Sequence, residues 1–232
     1  MQQSLISKIS KNLTENQKKF IAEFIGTFIV VVLATGSVVI DAKTNGVLGI
    51  PFIVFAPFVG VALGIYLFGK ISMAHFNPAV TVGFFITKHI TTKLQLAYYF
   101  AAEILGALLG SLFVKYFIGT QANLGANAPN YAFPLPIIFG VEVLASALLM
   151  TTILMVVYTK GLKGFGAIVI GGMVGLDIFF LAFVSGASMN PARSLAPALL
   201  SGMVNDLWLY WTATFVGTSI VALALRKKFI NS

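Results

Sequence analysis

Asn-Pro-Ala occurs twice in this chain, in His75-Phe76-Asn77-Pro78-Ala79-Val80-Thr81 and in Ser185-Gly186-Ala187-Ser188-Met189-Asn190-Pro191-Ala192-Arg193-Ser194. A given tripeptide is expected only about 0.03 times in a chain of this length at ordinary residue usage. Asn is a favourable helix N-cap, and Pro suits the first helical position. Each copy opens an apolar segment, about 77–87 and 190–200, that is too short to span a bilayer. Both segments are therefore predicted to be re-entrant half-helices.

Six longer apolar runs surround these turns, and each has the roughly 20 residues that a membrane helix needs. The chain is 58% hydrophobic and 9% charged, whereas ordinary soluble domains carry about 25% charged residues. We therefore predict an all-α membrane protein with six transmembrane helices and two half-helices. The runs cover about residues 20–40, 50–69, 94–117, 135–158, 165–184 and 207–226.

The two halves of the chain repeat one another. Glu23 in the first span corresponds to Glu142 in the fourth, and Gly106 in the third corresponds to Gly217 in the sixth. Three spans per half is an odd number, so the halves must have opposite orientations, as in an inverted 3+3 repeat whose site lies at the midplane. We predict a cytoplasmic N-terminal segment, a first repeat, an extracellular connecting loop and a second repeat, at residues 1–19, 20–118, 119–134 and 135–228.

The placement of Lys and Arg predicts the orientation, because these residues are concentrated in cytoplasmic loops. All but three of the fifteen bases fall on the side that holds both termini, the exceptions being Lys43, Lys115 and Arg193. We therefore expect both termini in the cytoplasm and the protein in the plasma membrane.

Several other classes of protein are disfavoured. No basic face carries interleaved aromatic residues, so a nucleic-acid partner is not expected. The chain has no cysteine, and His75 and His89 have no carboxylate at ligand spacing, so no metal site is expected. The sequence contains no nucleophile–base–acid set, phosphate-binding loop or cofactor motif. We therefore expect the protein to have no enzymatic activity and no cofactor.

The paired Asn-Pro-Ala turns indicate which kinds of solute can pass through a pore between them. Two half-helices that enter from opposite sides point their positive dipole ends at the centre of the bilayer. The oxygen of each Asn can cap its helix while the NH2 group donates into a lumen. A neutral molecule with an acceptor oxygen is oriented there, whereas a cation meets positive potential from both sides.

These residues resemble the two pore loops of the aquaporin, or major intrinsic protein, family, and the resemblance extends over about residues 18–228. It implies a six-helix bundle with one pore per subunit, assembled as a homotetramer in the lipid bilayer. It also implies that Asn77 and Asn190 line the central constriction and that Arg193 lines a narrower filter toward the outside. Glu23 and Glu142 are expected to support the pore by accepting hydrogen bonds from the backbones of the re-entrant loops.

The resemblance implies further filter positions at Ile178, at Ala187, and at Pro57 or its neighbour Phe58. Water-selective members of the family typically place His at the position of Ile178. A filter of Ile, Ala and Arg is wider and less polar, which favours glycerol besides water, with urea, ammonia and neutral metalloid acids as further solutes.

Other positions favour a strictly water-selective channel. Ser194 replaces the Asp that glycerol facilitators usually carry, and Ala198 and Tyr210-Trp211 are typical of water-type members. We give the filter residues more weight because they would touch the solute. A non-conducting junctional protein of the same fold is an alternative from another class, and so is a secondary transporter, which would need coupling-ion ligands at the midplane.

The sequence allows more than one role or charge state for each of three titratable residues. His75 is expected to line the cytoplasmic vestibule, with a pH gate as the alternative to simple pore lining. Glu103 stands where the family usually has Gln, which leaves its charge state open. Asp177 precedes Ile178 in the fifth span, where it can pair with a neighbouring helix or tune the outer pore.

Overall fold

The computed structural model describes residues 13–159 and 161–230, apart from the side chains at 163 and 228–230. All regular elements in these ranges are helical. The main helices are α1 (Glu15–Lys43), α2 (Gly49–Ser72), α3 (Pro78–Ile86), α4 (Lys93–Phe113), α5 (Leu135–Tyr158), α6 (Gly166–Ser185), α7 (Pro191–Ser201) and α8 (Leu207–Ile230). Three short helical segments lie between them, at Val114–Ile118, Gln121–Gly125 and Lys163–Phe165. Six of the helices are long and apolar enough to cross a membrane. The prediction of six spans with two half-helices is confirmed.

The first helix begins earlier than its apolar run. The Thr14 hydroxyl accepts from the backbone N–H of Gln17, and the Gln17 side chain accepts from the backbone N–H of Thr14. This capping box satisfies two backbone donors, so α1 starts at Glu15 rather than at about residue 20. Residues 15–19, assigned to the N-terminal segment from the sequence, are therefore the first turns of α1. Residues 1–12 of that segment lie outside the described residues.

Glycine allows two close helix crossings, one in each half. A Cβ atom on Gly106 would lie 2.4 Å from the carbonyl oxygen of Phe24, and one on Gly217 would lie 2.3 Å from that of Val143. Real Cβ atoms do not approach so closely, so α4 meets α1, and α8 meets α5, backbone against backbone. The glycines recognised as repeat counterparts thus make equivalent contacts.

The two halves interlock through their short helices. Six crossings bring the start of α1 and the end of α8 to one face of the bundle, which we call the terminus face; the other is the distal face. Helix α3 runs from the centre to the terminus face and packs against α8 of the second half, while α7 runs to the distal face and packs against α4 of the first. The start of α3 meets the start of α7 at the centre.

The connection between α4 and α5 folds back onto the bundle. It leaves α4 through a π-helical turn, Val114–Ile118. Residues 122–124 are left-handed, with φ between 47° and 59°. Gly125 follows at φ 65°, and a Cβ atom there would lie 2.7 Å from the carbonyl oxygen of Thr35 in α1. This close approach brings the next residues over the distal end of the bundle.

Candidate pore

The backbone before each capping Asn alternates in handedness. Ala74 and Phe76 have φ of 53° and 50°, and Ala187 and Met189 have φ of 41° and 56°. None of the four is Gly, and left-handed φ is uncommon for such residues, so the surrounding structure must hold them there. Alternation of this kind turns consecutive N–H groups toward the same side, forming a concave site for an anion.

A buried glutamate occupies each of these concave sites. Glu23 Oε1 accepts from the backbone N–H of His75 at 3.0 Å, and Oε2 accepts from that of Phe76 at 2.6 Å. Glu142 accepts from the backbone N–H groups of Ser188 at 3.2 Å and Met189 at 2.6 Å. Both glutamates are fully buried. They bind the re-entrant backbones as the resemblance implies, although their effect on conduction stays a prediction.

Asn77 and Asn190 cap the two half-helices. Asn77 Oδ1 accepts from the backbone N–H of Ala79 at 2.9 Å and of Val80 at 3.4 Å. Asn190 Oδ1 accepts from the backbone N–H groups two and three positions later in the same way, at 3.0 and 3.3 Å. Both half-helices therefore begin at the centre with capped N-termini, where their positive dipole ends converge.

The side-chain amides of these two residues also join the loops to each other. Asn77 Nδ2 donates to the carbonyl oxygen of Met189 at 2.7 Å, and Asn190 Nδ2 donates to that of Phe76 at 2.8 Å. Each amide thus donates to the residue that precedes the other Asn. The sequence predicted donation into the lumen alone. Each NH2 group has two hydrogens, so one is bound to the opposite loop and the other can face a solute.

Asn127 fixes Arg193 from the connecting loop. Its Oδ1 accepts from Arg193 Nη1 and, at 3.0 Å, from the hydroxyl of Ser194, while its Nδ2 donates to the carbonyl oxygen of Gly186 at 2.8 Å. Sequence reasoning missed Asn127, because it lies in neither turn and has no counterpart in the repeat. The fold alone brings the connecting loop over α7.

One cavity of about 870 Å³ contains most of the predicted pore residues. Asn77, Asn190 and His75 line it, together with the filter candidates Arg193, Ala187, Ile178 and Pro57. It also reaches Lys70 at the terminus-face end of α2. The two capping residues and the filter candidates therefore share a continuous space.

Phe58, one of the two residues considered for the second-span filter position, does not line this cavity. Its side chain packs between α2 and α6, where a Cβ atom on Gly171 would lie 3.1 Å from Phe58 Cδ2. Phe58 belongs to an apolar groove with Phe55 and Phe179, both exposed. Pro57, one position earlier and about 100° round the helix, is the residue that faces the cavity.

The two histidines have different surroundings. The His75 ring is buried and stacks on Phe84, with ring centroids 4.5 Å apart. His89 lies outside the spans, and its Nε2 is 2.5 Å from the hydroxyl of Tyr158. Partial burial lowers the pKa of His89, so its ring is neutral near pH 7.

Asp177 is buried in α6, next in sequence to the filter candidate Ile178. Its side chain does not line the cavity formed by the described residues, and its Oδ2 has no hydrogen-bond partner among them. Glu142 on the facing helix α5 acts on it electrostatically.

Two opposed, capped half-helices inside a six-span bundle, with one cavity that passes both caps, define a membrane channel. Comparisons with known proteins agree. The sequence profile described as "Major intrinsic protein" matches residues 10–225. The chain belongs to this family of channels, which are not enzymes.

Individual relatives match most of the chain. Aquaporin NIP3-1 of Arabidopsis thaliana is 34% identical over 216 residues, covering 86% of this chain but only 64% of that protein, so this chain spans less than two thirds of it. Glycerol uptake facilitator protein-like 6 of Lactiplantibacillus plantarum is 34% identical over 217 residues, covering 90% and 97%. The X-ray structure of the aquaglyceroporin from Plasmodium falciparum superposes with a TM-score of 0.76 at 25% identity, covering 91% of this chain and 96% of that one.

Proposed function

We propose that the chain is a passive channel for water and small uncharged solutes, glycerol foremost, that excludes protons and ions. Urea, ammonia and neutral metalloid acids are further candidate solutes. The observation that carries the proposal is the chemistry of the cavity wall. Ala187, Ile178 and Pro57 share the cavity with the guanidinium, and all three are apolar. Such a wall accommodates the carbon chain of a polyol while the charged side binds its hydroxyl groups.

Exclusion of ions follows from fixed positive charge. A cation that enters must lose water while it approaches the N-termini of α3 and α7 and the guanidinium of Arg193. The free amide hydrogens of Asn77 and Asn190 offer a neutral solute donors at the same depth. We propose that these two residues form the constriction and that Arg193, Ala187, Ile178 and Pro57 form the filter.

The names of similar proteins support both glycerol and water. One relative is called a glycerol uptake facilitator, and the similar solved structure is an aquaglyceroporin. Other relatives are called aquaporins. Strict water selectivity therefore remains the second candidate, supported in the sequence by Ser194 and Tyr210.

Assembly and orientation are part of the same proposal. We propose a homotetramer in the plasma membrane, as the family resemblance implies. We also propose that the terminus face lies in the cytoplasm, which is supported by the concentration of Lys and Arg in the segments on that side. Residues 20–118 and 135–228 are proposed as the two repeats, joined by an extracellular loop, 119–134.

Swelling of proteoliposomes under a glycerol gradient and under a water gradient tests the function. Wild type is expected to conduct both. Asn190→Asp removes the donor to Phe76 and places a carboxylate at the constriction, so glycerol swelling is expected to be lost. Asn205→Asp, at an exposed Asn between α7 and α8, is the matched control and is expected to conduct like wild type.

The other outcomes separate the alternatives. Water flux without glycerol flux contradicts the permissive filter and leaves a water-selective channel. The absence of both fluxes from folded protein favours the non-conducting junctional class.

A further inference from the structure

A chain of three side chains leads from the cavity wall into the protein. His75 Nδ1 lies 2.9 Å from the hydroxyl oxygen of Thr81, and that hydroxyl lies 2.6 Å from Oε1 of Glu103 on α4. All three residues are at most 5% exposed. Two atoms at the ends of this chain, His75 Nε2 and Glu103 Oε2, are buried without a hydrogen-bond partner among the described residues.

The Thr81 hydroxyl has a single hydrogen, so it can donate in only one direction. If Glu103 is ionised, Thr81 donates to Glu103 and accepts from His75, and the histidine carries its hydrogen on Nδ1. If Glu103 carries a proton on Oε1, it donates to Thr81, Thr81 donates to His75 Nδ1, and the hydrogen of the imidazole moves to Nε2. Both arrangements use the same heavy-atom positions.

Each arrangement has one unfavourable feature. An ionised Glu103 is a charge buried away from water, and it also lies near Glu23, which acts on it electrostatically. A protonated Glu103 leaves the Nε2–H group of His75 buried without an acceptor. A Gln at position 103 cannot change charge and has no such alternative.

Other charged or titratable groups lie near this chain. Lys19 on α1 and His89 act electrostatically on His75, and Glu103 acts electrostatically on Tyr99 of α4. Helix α7, which packs against α4, has Arg193 as its charged residue. That guanidinium binds Asn127.

We propose that His75, Thr81 and Glu103 act as one proton-coupled unit, in which protonation of Glu103 reverses both hydrogen bonds and switches the tautomer of His75. Glu103 is thereby a positioning residue that sets the dipole of the imidazole in the pore wall, two residues before Asn77. The coupling is independent of the solute, so a failure of glycerol swelling leaves it intact.

Nitrogen NMR of histidine-labelled protein in liposomes tests the coupling, with His89→Gln identifying the signals of His75. In wild type, the protonated nitrogen of His75 is expected to change from Nδ1 to Nε2 as the pH is lowered from about 9 to about 5. The ring is expected to stay neutral over this range because its burial disfavours the charged form. Glu103→Gln and Thr81→Val are expected to abolish this pH dependence. Ser111→Ala, at a buried serine on the same helix, is expected to retain it.

Three outcomes would overturn the proposal. The first is a single tautomer of His75 in wild type at every pH. The second is a transition that persists in Glu103→Gln, which would assign the proton to another group. The third is an imidazolium in place of a tautomer change. Two independent variants protect the test against loss of folding in one of them.

Discussion

The guanidinium of Arg193 donates to the side-chain oxygen of Asn127, which lies in the connecting loop between α4 and α5. The same oxygen accepts from Ser194, and the amide nitrogen of Asn127 donates to Gly186 at 2.8 Å. A residue of the connecting loop thus ties Arg193 to the second re-entrant loop. The position of this charge in the proposed filter therefore depends on the fold of a segment outside both turns.

Replacement of Asn127 by Ala is expected to release Arg193 into the cavity. Glycerol flux should fall more than water flux, because the larger solute needs the space that the freed guanidinium would occupy. Loss of a hydrogen bond to a charged group is also expected to lower stability by about 1.5–3 kcal/mol. Asn127→Asp keeps an acceptor for Arg193 and should restore the ratio of the two fluxes. Equal ratios in wild type and Asn127→Ala would show that Asn127 does not position the arginine.

Replacement of Glu142 by Gln is expected to collapse the second re-entrant loop. Glu142 accepts from two backbone N–H groups and from the hydroxyl of Ser185 at 2.9 Å, whereas an amide would turn a donor toward donors. A buried donor left unsatisfied costs about 1–3 kcal/mol. We expect a lower melting temperature and loss of flux. Glu15→Gln, at an exposed glutamate, is the control and should change neither.

The close helix crossings predict that Gly→Ala substitutions have different effects at the crossings and away from them. Gly106→Ala and Gly217→Ala would force a Cβ atom against a backbone carbonyl, with an expected loss of about 1–3 kcal/mol or more in the free energy of unfolding. Gly140→Ala, in a helix with no atom within 4 Å of the added Cβ, is expected to be neutral or slightly stabilising. Thermal unfolding in detergent measures all three. Equal melting temperatures for the three variants would contradict the close crossings.

A change at Ile178 tests the filter directly. Ile178→His adds polar bulk to the apolar wall of the cavity that Ile178 shares with Arg193, and it is expected to reduce glycerol flux while leaving water flux largely intact. Ile178→Leu keeps the volume and the apolar character and should behave like wild type. A parallel loss of both fluxes in Ile178→His would indicate general damage rather than a narrowed filter.

Local signals explain why the helices could be predicted from the sequence. A long apolar run predicts a membrane-spanning helix, and Asn-Pro predicts where a half-helix begins. Most helix ends therefore agree with the prediction to within a few residues. The start of α1 was predicted too late, because its first residues are polar and Thr14 was not recognised as a cap. The internal repeat identified Gly106 and Gly217 as equivalent positions. The close helix crossings explain why both positions hold glycine.

Tertiary contacts account for what the sequence did not predict. Neighbouring residues on a helix differ by about 100°, and apolar character alone could not decide whether Pro57 or Phe58 faces the pore. Asn127 reaches Arg193 only because its loop folds back onto α1. The sequence does not indicate the left-handed backbone at Phe76 and Met189, because neither residue is Gly. The hydrogen bonds to Glu23 and Glu142 hold this conformation.

The most direct measurement records glycerol-driven swelling and proton leak in the same proteoliposomes, with a pH-sensitive dye enclosed. We predict swelling well above that of empty vesicles while the internal pH decays no faster than in empty vesicles. Proton leak that accompanies glycerol entry would contradict exclusion at the paired Asn-Pro-Ala turns. Water flux with no glycerol-driven swelling would contradict the wide, apolar filter.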